Sequence, residues 1–394
     1  MKKIVTLMLI ALLVFGCGVG GFAGLGITNT MNFTGDTVKL SLDQAIERMT
    51  TTGPSFEAVM LAKKGNEAAA KGQFEYLKAV QEAEDQISAL EQMGGAAAAA
   101  AQSASFSMPS STGLTGLQAS LGKEFYTAYA PVAYEAGING IKSNTLQVYY
   151  GMLLTQQSYD IAKNTTAIKK ALLDNTNKKF KLGVASKMDV LLAKNALLAA
   201  QEAESEALTS VNTMKMQLNM AFGYDLTQKI EFTDKLVRVP APEIDLDACI
   251  ASALAERADI MKAKYDMDNA QLDFNSVKAY PSGSATYMGK EAALNGAKLA
   301  YDTALLNVEL ELRSAYMKLH DLDLAITTSQ SSFENAKEAA RLFQLQYDAG
   351  LCTLAQLQEA QNNCQMAELG LYNAIMQYDI AVYNFGFASH AGTK

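Results

Sequence analysis

The sequence has few of the residues that interrupt regular structure or build common enzyme sites. Among its 394 residues there are 6 prolines, 4 cysteines, 2 histidines and no tryptophan. So few prolines allow long uninterrupted helices. His320 and His390 each stand alone in the sequence, which argues against Ser-His-Asp and Cys-His enzymes. No Gly-rich phosphate loop or nucleophile motif occurs, so we predict neither an enzyme nor a bound cofactor.

The charge balance indicates which partners to exclude. The formal net charge is −8 and no basic patch occurs, whereas binding to a phosphate backbone requires a basic surface. We therefore expect no nucleic-acid partner. Hydrophobic residues make up 49% and charged residues 19% of the chain, which is ordinary for a folded protein.

The N-terminus has the layout of a secretory signal, which we assign to residues 1–23. Residues 1–3 are Met-Lys-Lys, residues 4–15 are apolar, and small residues follow. Cys17 follows Val-Phe-Gly, which resembles a lipoprotein cleavage box. Two outcomes stay open: either Cys17 is lipidated and anchors the protein, or cleavage after Ala23 removes it. A retained membrane anchor is a further alternative, although the apolar run is short for a span.

The other cysteines, Cys249, Cys352 and Cys364, form no CxxC pair and have no histidine nearby. This spacing supports neither a zinc site nor a disulfide framework. We predict no metal site and assign these thiols to helix packing.

Two internal matches indicate that the chain contains two copies of one unit. The pattern Leu-Asp-x-x-Ile at 42–46 recurs at 246–250, an offset of 204. The segment Phe-Lys-Leu-Gly-Val-Ala-Ser at 180–186 matches Tyr-Asp-Ala-Gly-Leu-Cys-Thr at 347–353, an offset of 167. Self-similarity of this kind is typical of a duplicated structural unit.

The matches divide the mature chain into a first helical repeat at 24–239 and a second at 240–394. The offset between the two helix openings is larger than the offset between the two turns, so the first repeat contains extra chain between its opening and its turn. We place this extra chain at 94–140 and predict that it is an irregular or short-stranded tip insertion. The fold class is all-α dominated, with long antiparallel coiled-coil-like helical hairpins in two tandem repeats. The predicted helices are 41–92, 140–182, 186–222, 245–279, 290–349 and 353–387.

Each repeat contains one tight turn between helices. Gly183 and Gly350 are expected to end a helix in a left-handed cap, and Ser186 and Thr353 to cap the next helix.

The last helix has apolar residues at alternating steps of three and four, broken by Gln361 and Glu368. This pattern predicts left-handed supercoiled packing on a face that is not wholly dry. An ordinary antiparallel bundle with two buried polar exceptions stays an alternative.

The duplicated hairpins, the signal, the Leu-Asp-x-x-Ile openings and the paired Gly turns together resemble the TolC-like outer-membrane efflux family. The resemblance implies a homotrimer whose twelve helices form an α-barrel across the periplasm, in a protein located at the outer membrane. It implies export of small molecules or proteins together with a periplasmic adaptor and an inner-membrane transporter. The adaptor would dock on the turns, at Gly183, Val184, Ser186, Gly350, Leu351 and Thr353. The alternative is that these residues are helix caps only.

The resemblance also implies a tunnel constriction near the turns, at Tyr347, Gln356, Glu359 and Asp189. The match is partial, because Cys352 stands where the family has an arginine, and Gln356 stands where it has an acid. Asp189 is equally well explained as a solvated helix residue.

Family members insert a β-hairpin in each repeat. Residues 280–290 leave room for little more than a turn, and residues 105–137 alternate weakly. We therefore expect the β-barrel segment to be reduced or absent. This favours an alternative function, a non-channel structural or scaffolding helical envelope protein.

Overall fold

The computed structural model describes residues 32–105 and 110–393. The predicted signal at 1–23 and Cys17 lie outside the described residues. The described chain is mostly helical, as the sequence predicts. Its regular elements are β1 (Thr34–Leu40), α1 (Leu42–Thr51), α2 (Pro54–Met93), α3 (Gly95–Ser105), α4 (Leu114–Lys181), α5 (Lys187–Ala221), β2 (Gln228–Phe232), α6 (Leu246–Glu256), α7 (Ala258–Asn275), α8 (Ala285–Asp348) and α9 (Leu354–Ala388).

The prediction of irregular or stranded chain at 94–140 is wrong. α3 forms there, and α4 begins at Leu114 and continues without a break for 68 residues. Pro131 lies inside α4 on an exposed position, so the missing N–H hydrogen bond falls on the solvent side. Phe125 stacks on Tyr265 of α7, with ring centroids 4.1 Å apart. Packing of this kind outweighs the local signals of proline and glycine.

The two Leu-Asp-x-x-Ile motifs open short helices, whereas the sequence predicted long ones at 41–92 and 245–279. In the first repeat the break lies at Gly53, where φ is +101° and the following Pro54 disfavours helix. In the second repeat Arg257 adopts an extended conformation. The repeats therefore share one break, since α2 and α7 begin at positions related by the same offset of 204.

The helices lie side by side in layers. We call the half that contains the two Gly turns the lower half and the opposite half the upper half. In the lower half, α4 packs against α5 on one side and against α9 on the other, and α9 packs against α8. In the upper half, α4 packs between α2 and α7, and α7 packs against α8. The order is α5–α4–α9–α8 below and α2–α4–α7–α8 above. α8 is thus an edge helix along its length, while α5 and α2 form the opposite edge.

A mixed core joins the two halves at mid-height. β1 and β2 pair in parallel and pack on α4, an arrangement that the sequence did not predict. Tyr149 of α4 is buried, with its hydroxyl oxygen 2.8 Å from Asp234 Oδ2 and 3.0 Å from the Leu40 carbonyl oxygen. Asp234 Oδ2 also accepts the N–H of Leu42 at 2.6 Å. One carboxylate therefore connects the start of α1 to the end of β2.

The upper hairpins of the two repeats differ in length. α2 has 40 residues and α7 has 18, which corresponds to about 60 Å and about 27 Å at 1.5 Å per residue. None of the helices described within 32–105 and 110–393 combines the length and hydropathy needed to cross a membrane.

Candidate functional site

The first turn at the lower end of the molecule lies between α4 and α5. Gly183 has a φ of +77°, and the N–H of Val184 donates to the Lys179 carbonyl at 2.9 Å, so α4 ends in a left-handed cap. Ser186 Oγ accepts the Asp189 N–H at 3.1 Å, and Asp189 Oδ2 accepts the Ser186 N–H at 2.9 Å. This reciprocal pair is a capping box, which starts α5 immediately after the turn.

The second turn, between α8 and α9, repeats this geometry. Gly350 has a φ of +74°, and the Leu351 N–H donates to the Gln346 carbonyl at 2.8 Å. Thr353 Oγ1 accepts the Gln356 N–H at 3.3 Å, and Gln356 Oε1 accepts the Thr353 N–H at 2.9 Å. The caps predicted at both turns are therefore present.

Lys179 brings the ends of α4 and α8 together. Its Nζ donates to the Tyr347 carbonyl at 2.8 Å, lies 4.0 Å from the centroid of the Tyr347 ring and is 3.8 Å from Asp348 Oδ1. Asn175 donates to Asp348 at 3.3 Å. A lysine at a helix C-terminus satisfies carbonyls that lack helical partners. Lys179 was not among the predicted site residues, although lysines in the last turn of α4 were a signal for this role.

Apolar side chains project from both turns into solvent. Leu182 is 78% exposed, Val184 74% and Leu351 78%. We call these three residues the tip surface. The caps account for glycine, serine and threonine at the turns but require no exposed aliphatic group. Clustered exposed apolar groups are typical of protein contact sites. Val184 and Leu351 were predicted docking residues, whereas Leu182 was not.

The four residues predicted to form a constriction occupy different environments. Asp189 and Gln356 are engaged in the capping boxes, and Glu359 is exposed on α9. Tyr347 is only 7% exposed, and its hydroxyl lies 3.1 Å from the hydroxyl of Thr176. Asp189, Gln356 and Tyr347 thus have structural roles within one chain. The constriction stays a prediction.

The two polar residues that interrupt the heptad pattern of the last helix, Gln361 and Glu368, are half-buried in the structure. Lys169 of α4 is buried, and its Nζ donates to Gln361 Oε1 at 2.9 Å. Desolvation by burial lowers the pKa of Lys169, whose hydrogen-bond acceptors are neutral amide oxygens. Burial also raises the pKa of Glu368 on the same helix. Both interruptions of the heptad pattern therefore lie in partly desolvated surroundings.

The cysteines and metal ligands add no further site among the described residues. Cys249, Cys352 and Cys364 are half-buried free thiols. Within 32–105 and 110–393, no three potential metal ligands come together.

Solved structures with the same arrangement of helices are bacterial membrane proteins. The outer membrane protein VceC of Vibrio cholerae aligns over 90% of this chain and 97% of its own, with a TM-score of 0.66 and 14% identity. A membrane protein from Pseudomonas aeruginosa aligns over 89% of this chain and 90% of its own, with a TM-score of 0.66 and 13% identity. The CmeC outer membrane channel of Campylobacter jejuni covers 90% of this chain and 86% of its own, with a TM-score of 0.62 and 14% identity.

The chain has the fold of the TolC-like outer-membrane channels. The resemblance in its repeats and turns is thereby confirmed at the level of the fold. The sequence matches no protein-family model and no curated protein. At identities of 13% and 14% the likeness lies in the TolC-like fold and not in particular side chains.

Proposed function

We propose that the protein is one subunit of a TolC-like outer-membrane duct that exports small molecules or proteins. It acts as a homotrimer, together with a periplasmic adaptor and an inner-membrane transporter, and catalyses no reaction of its own. The helical body faces the periplasm. Support comes from the TolC-like fold, and from structural neighbours such as the CmeC outer membrane channel.

The observation that carries this proposal is the open layer of four helices in the lower half. Its edge helices expose large apolar side chains, including Leu191 and Leu198 of α5, which are 48% and 54% exposed. On α8, Leu324 is 60% and Leu345 54% exposed. The two edges differ from each other, so contact between α5 of one copy and α8 of the next is head-to-tail. Head-to-tail contacts close into rings when the rotation permits. Four helices from each of three copies make the twelve of the predicted α-barrel.

Stoichiometry and conductance test this proposal. Native mass spectrometry of the mature protein, released from membranes in mild detergent, should report a trimer. The same material should conduct ions after insertion into planar bilayers. A monomer without conductance would overturn the duct and favour the scaffolding alternative, because a single chain encloses no tunnel.

Docking of the adaptor on the tip surface is tested by removing its apolar groups and keeping the caps. The double variant Val184→Ser with Leu351→Ser leaves Gly183 and Gly350 in place, so assembly should persist. Export should be lost in a strain that carries only this variant. Val237→Ser, at an exposed valine of the linker, is the matched control and should export normally. Normal export by the double variant would contradict docking at the tip surface.

A further inference from the structure

A cavity in the lower half lies where α4 faces the gap between α5 and α9. Its volume is about 270 Å³, and residues of all three helices line it. α4 packs against both neighbours, whereas α5 and α9 make few contacts with each other. One water molecule takes up about 30 Å³ in the liquid. The cavity therefore has room for several waters, or for a small organic solute.

Small side chains on α5 create this space. Four residues of α5 at positions i, i+3, i+4 and i+7 line the cavity on one helix face, and all of them are alanine: Ala196, Ala199, Ala200 and Ala203. Thr166 of α4 donates its hydroxyl to the Ala200 carbonyl oxygen at 3.1 Å, which fixes the two helices relative to each other at this level. The space is therefore set by the packing of the helices, and longer side chains on this face of α5 would fill it.

The charge of the lining comes from one lysine. All ten residues that line the cavity belong to the described part of the chain, and Lys169 of α4 is the one charged residue among them. Lys169 is 4% exposed, and its Nζ donates to Gln361 Oε1 at 2.9 Å and to Asn362 Oδ1 at 3.5 Å. Both acceptors are neutral amide oxygens. Buried charges in proteins are normally paired with an opposite charge, which the lining of this cavity does not supply.

An amide on α9 adds a hydrogen-bond donor that lacks a partner. Gln358 lines the cavity, and its Nε2 is shielded from solvent and has no hydrogen-bond partner among the described residues. Buried polar groups are nearly always hydrogen-bonded, so a buried N–H without a partner indicates an acceptor that the chain itself does not provide. Lys169 and Gln358 thus present a positive charge and an N–H donor to one alanine-lined space.

We propose that this cavity binds a small carboxylate anion, held by the ammonium of Lys169 and the amide N–H of Gln358. A carboxylate has acceptor lone pairs for both donors, and the alanines of α5 surround its apolar carbon. Water can accept from the amide but leaves the charge of the ammonium unpaired, whereas a carboxylate forms a charge-assisted hydrogen bond. The inference does not rest on the proposed assembly, because a single chain supplies every lining residue.

The bound anion connects the two repeats of the chain. Lys169 belongs to the first repeat and Gln358 to the second, and the ligand bridges the gap between α5 and α9, which make few contacts of their own. The site exists only when the three helices are packed, so the anion binds the folded chain and not the unfolded one. Binding therefore raises the Tm of the protein in proportion to the logarithm of the anion concentration once the site is occupied.

Saturation-transfer NMR with sodium acetate tests the site. Irradiation of the protons of the mature protein, in deuterated detergent and at constant ionic strength, should reduce the acetate methyl signal. Lys169→Gln removes the charge and should weaken acetate binding by roughly ten- to hundredfold, which corresponds to the loss of one hydrogen bond to a charged group. Lys170→Gln, at the exposed neighbouring lysine, changes the net charge equally and should bind acetate like the wild type. Equal binding by Lys169→Gln and wild type would overturn the proposal.

A second variant supplies the carboxylate from the chain itself. Gln358→Glu places an acid in the cavity, so it should pair with Lys169 and take the place of acetate. Its Tm, followed by circular dichroism, should exceed that of the wild type in acetate-free buffer and should not respond to acetate, whereas the Tm of the wild type should rise with acetate. Asn363→Asp, at an exposed amide of the same helix, is the matched control and should respond to acetate like the wild type. An acetate response of Gln358→Glu equal to that of the wild type would contradict the assignment, even if Lys169→Gln failed to fold.

Discussion

A buried carboxylate on α9 should make the stability of the protein depend on pH. Asp379 is 0% exposed, and its Oδ1 accepts the N–H of Val239 at 2.9 Å. Its Oδ2 finds no hydrogen-bond partner among the described residues. Burial raises the pKa of Asp379 from 3.8 to about 6, with the Val239 N–H and nearby Arg238 acting in the opposite direction. Asp379→Asn keeps an acceptor for Val239 and removes the charge.

The sign and size of the effect follow from the two pKa values. The folded chain holds the proton more tightly than the unfolded chain, so the free energy of unfolding falls as pH rises from about 4 to about 6. Above that range the ionised form costs at most about 3 kcal/mol, because each pKa unit is worth about 1.36 kcal/mol. Asp379→Asn should therefore be more stable than the wild type at pH 8, and the advantage should shrink by about 2 kcal/mol at pH 4.

Urea unfolding followed by circular dichroism at pH 4, 6 and 8 measures this difference. Asp225 is exposed, and the control variant Asp225→Asn should track the wild type at each pH. A stability difference between Asp379→Asn and wild type that is the same at pH 4 and pH 8 would refute the reasoning. Such a result would mean that the carboxyl is neutral, or solvated, at every pH tested.

Three further stability predictions can be checked by urea unfolding at pH 7.5. Ser186→Ala and Thr353→Ala should each lower the free energy of unfolding by about 1 kcal/mol, and an unchanged midpoint would contradict the capping role. Arg257→Met should lower it by about 2 kcal/mol, because the buried guanidinium pairs at 2.9 Å with a carboxylate oxygen of each of two half-exposed acidic residues. Lys169→Met should raise it by about 1 kcal/mol, since a buried ammonium with neutral acceptors is replaced by an apolar chain; a loss of stability would show that the lysine is needed for packing.

The two turns could be predicted because their chemistry is local. Gly183 needs a positive φ, and Ser186 caps the helix that starts one residue later, so seven consecutive residues contain the whole signal. The second repeat contains the same signal at Gly350 and Thr353. The tip surface was found in part for the same reason, since Val184 and Leu351 lie beside the glycines.

The strands and the upper part of α4 could not be predicted, because they form through contacts with distant parts of the chain. β1 and β2 have 7 and 5 residues, and Thr34 pairs with Gln228 far along the sequence, so neither strand shows its partner locally. Residues 114–139 contain glycines and Pro131, which predict interruption. The helix persists because its aromatic and alanine face is buried against α7.

The unequal upper hairpins have a consequence for how a ring of copies would end. Gln73 of α2 lies 3.4 Å from where a Cβ of Gly122 in α4 would be, and Gln118 of α4 donates to Asp273 near the end of α7. From this shared level the α2 hairpin rises roughly 20 Å above the α7 hairpin. Around a closed ring, tall and short hairpins would alternate, so the upper end of the ring would be uneven in height. The gaps between the tall hairpins would open to the side, so that cargo could leave through these gaps before it reached the ends of the α2 helices.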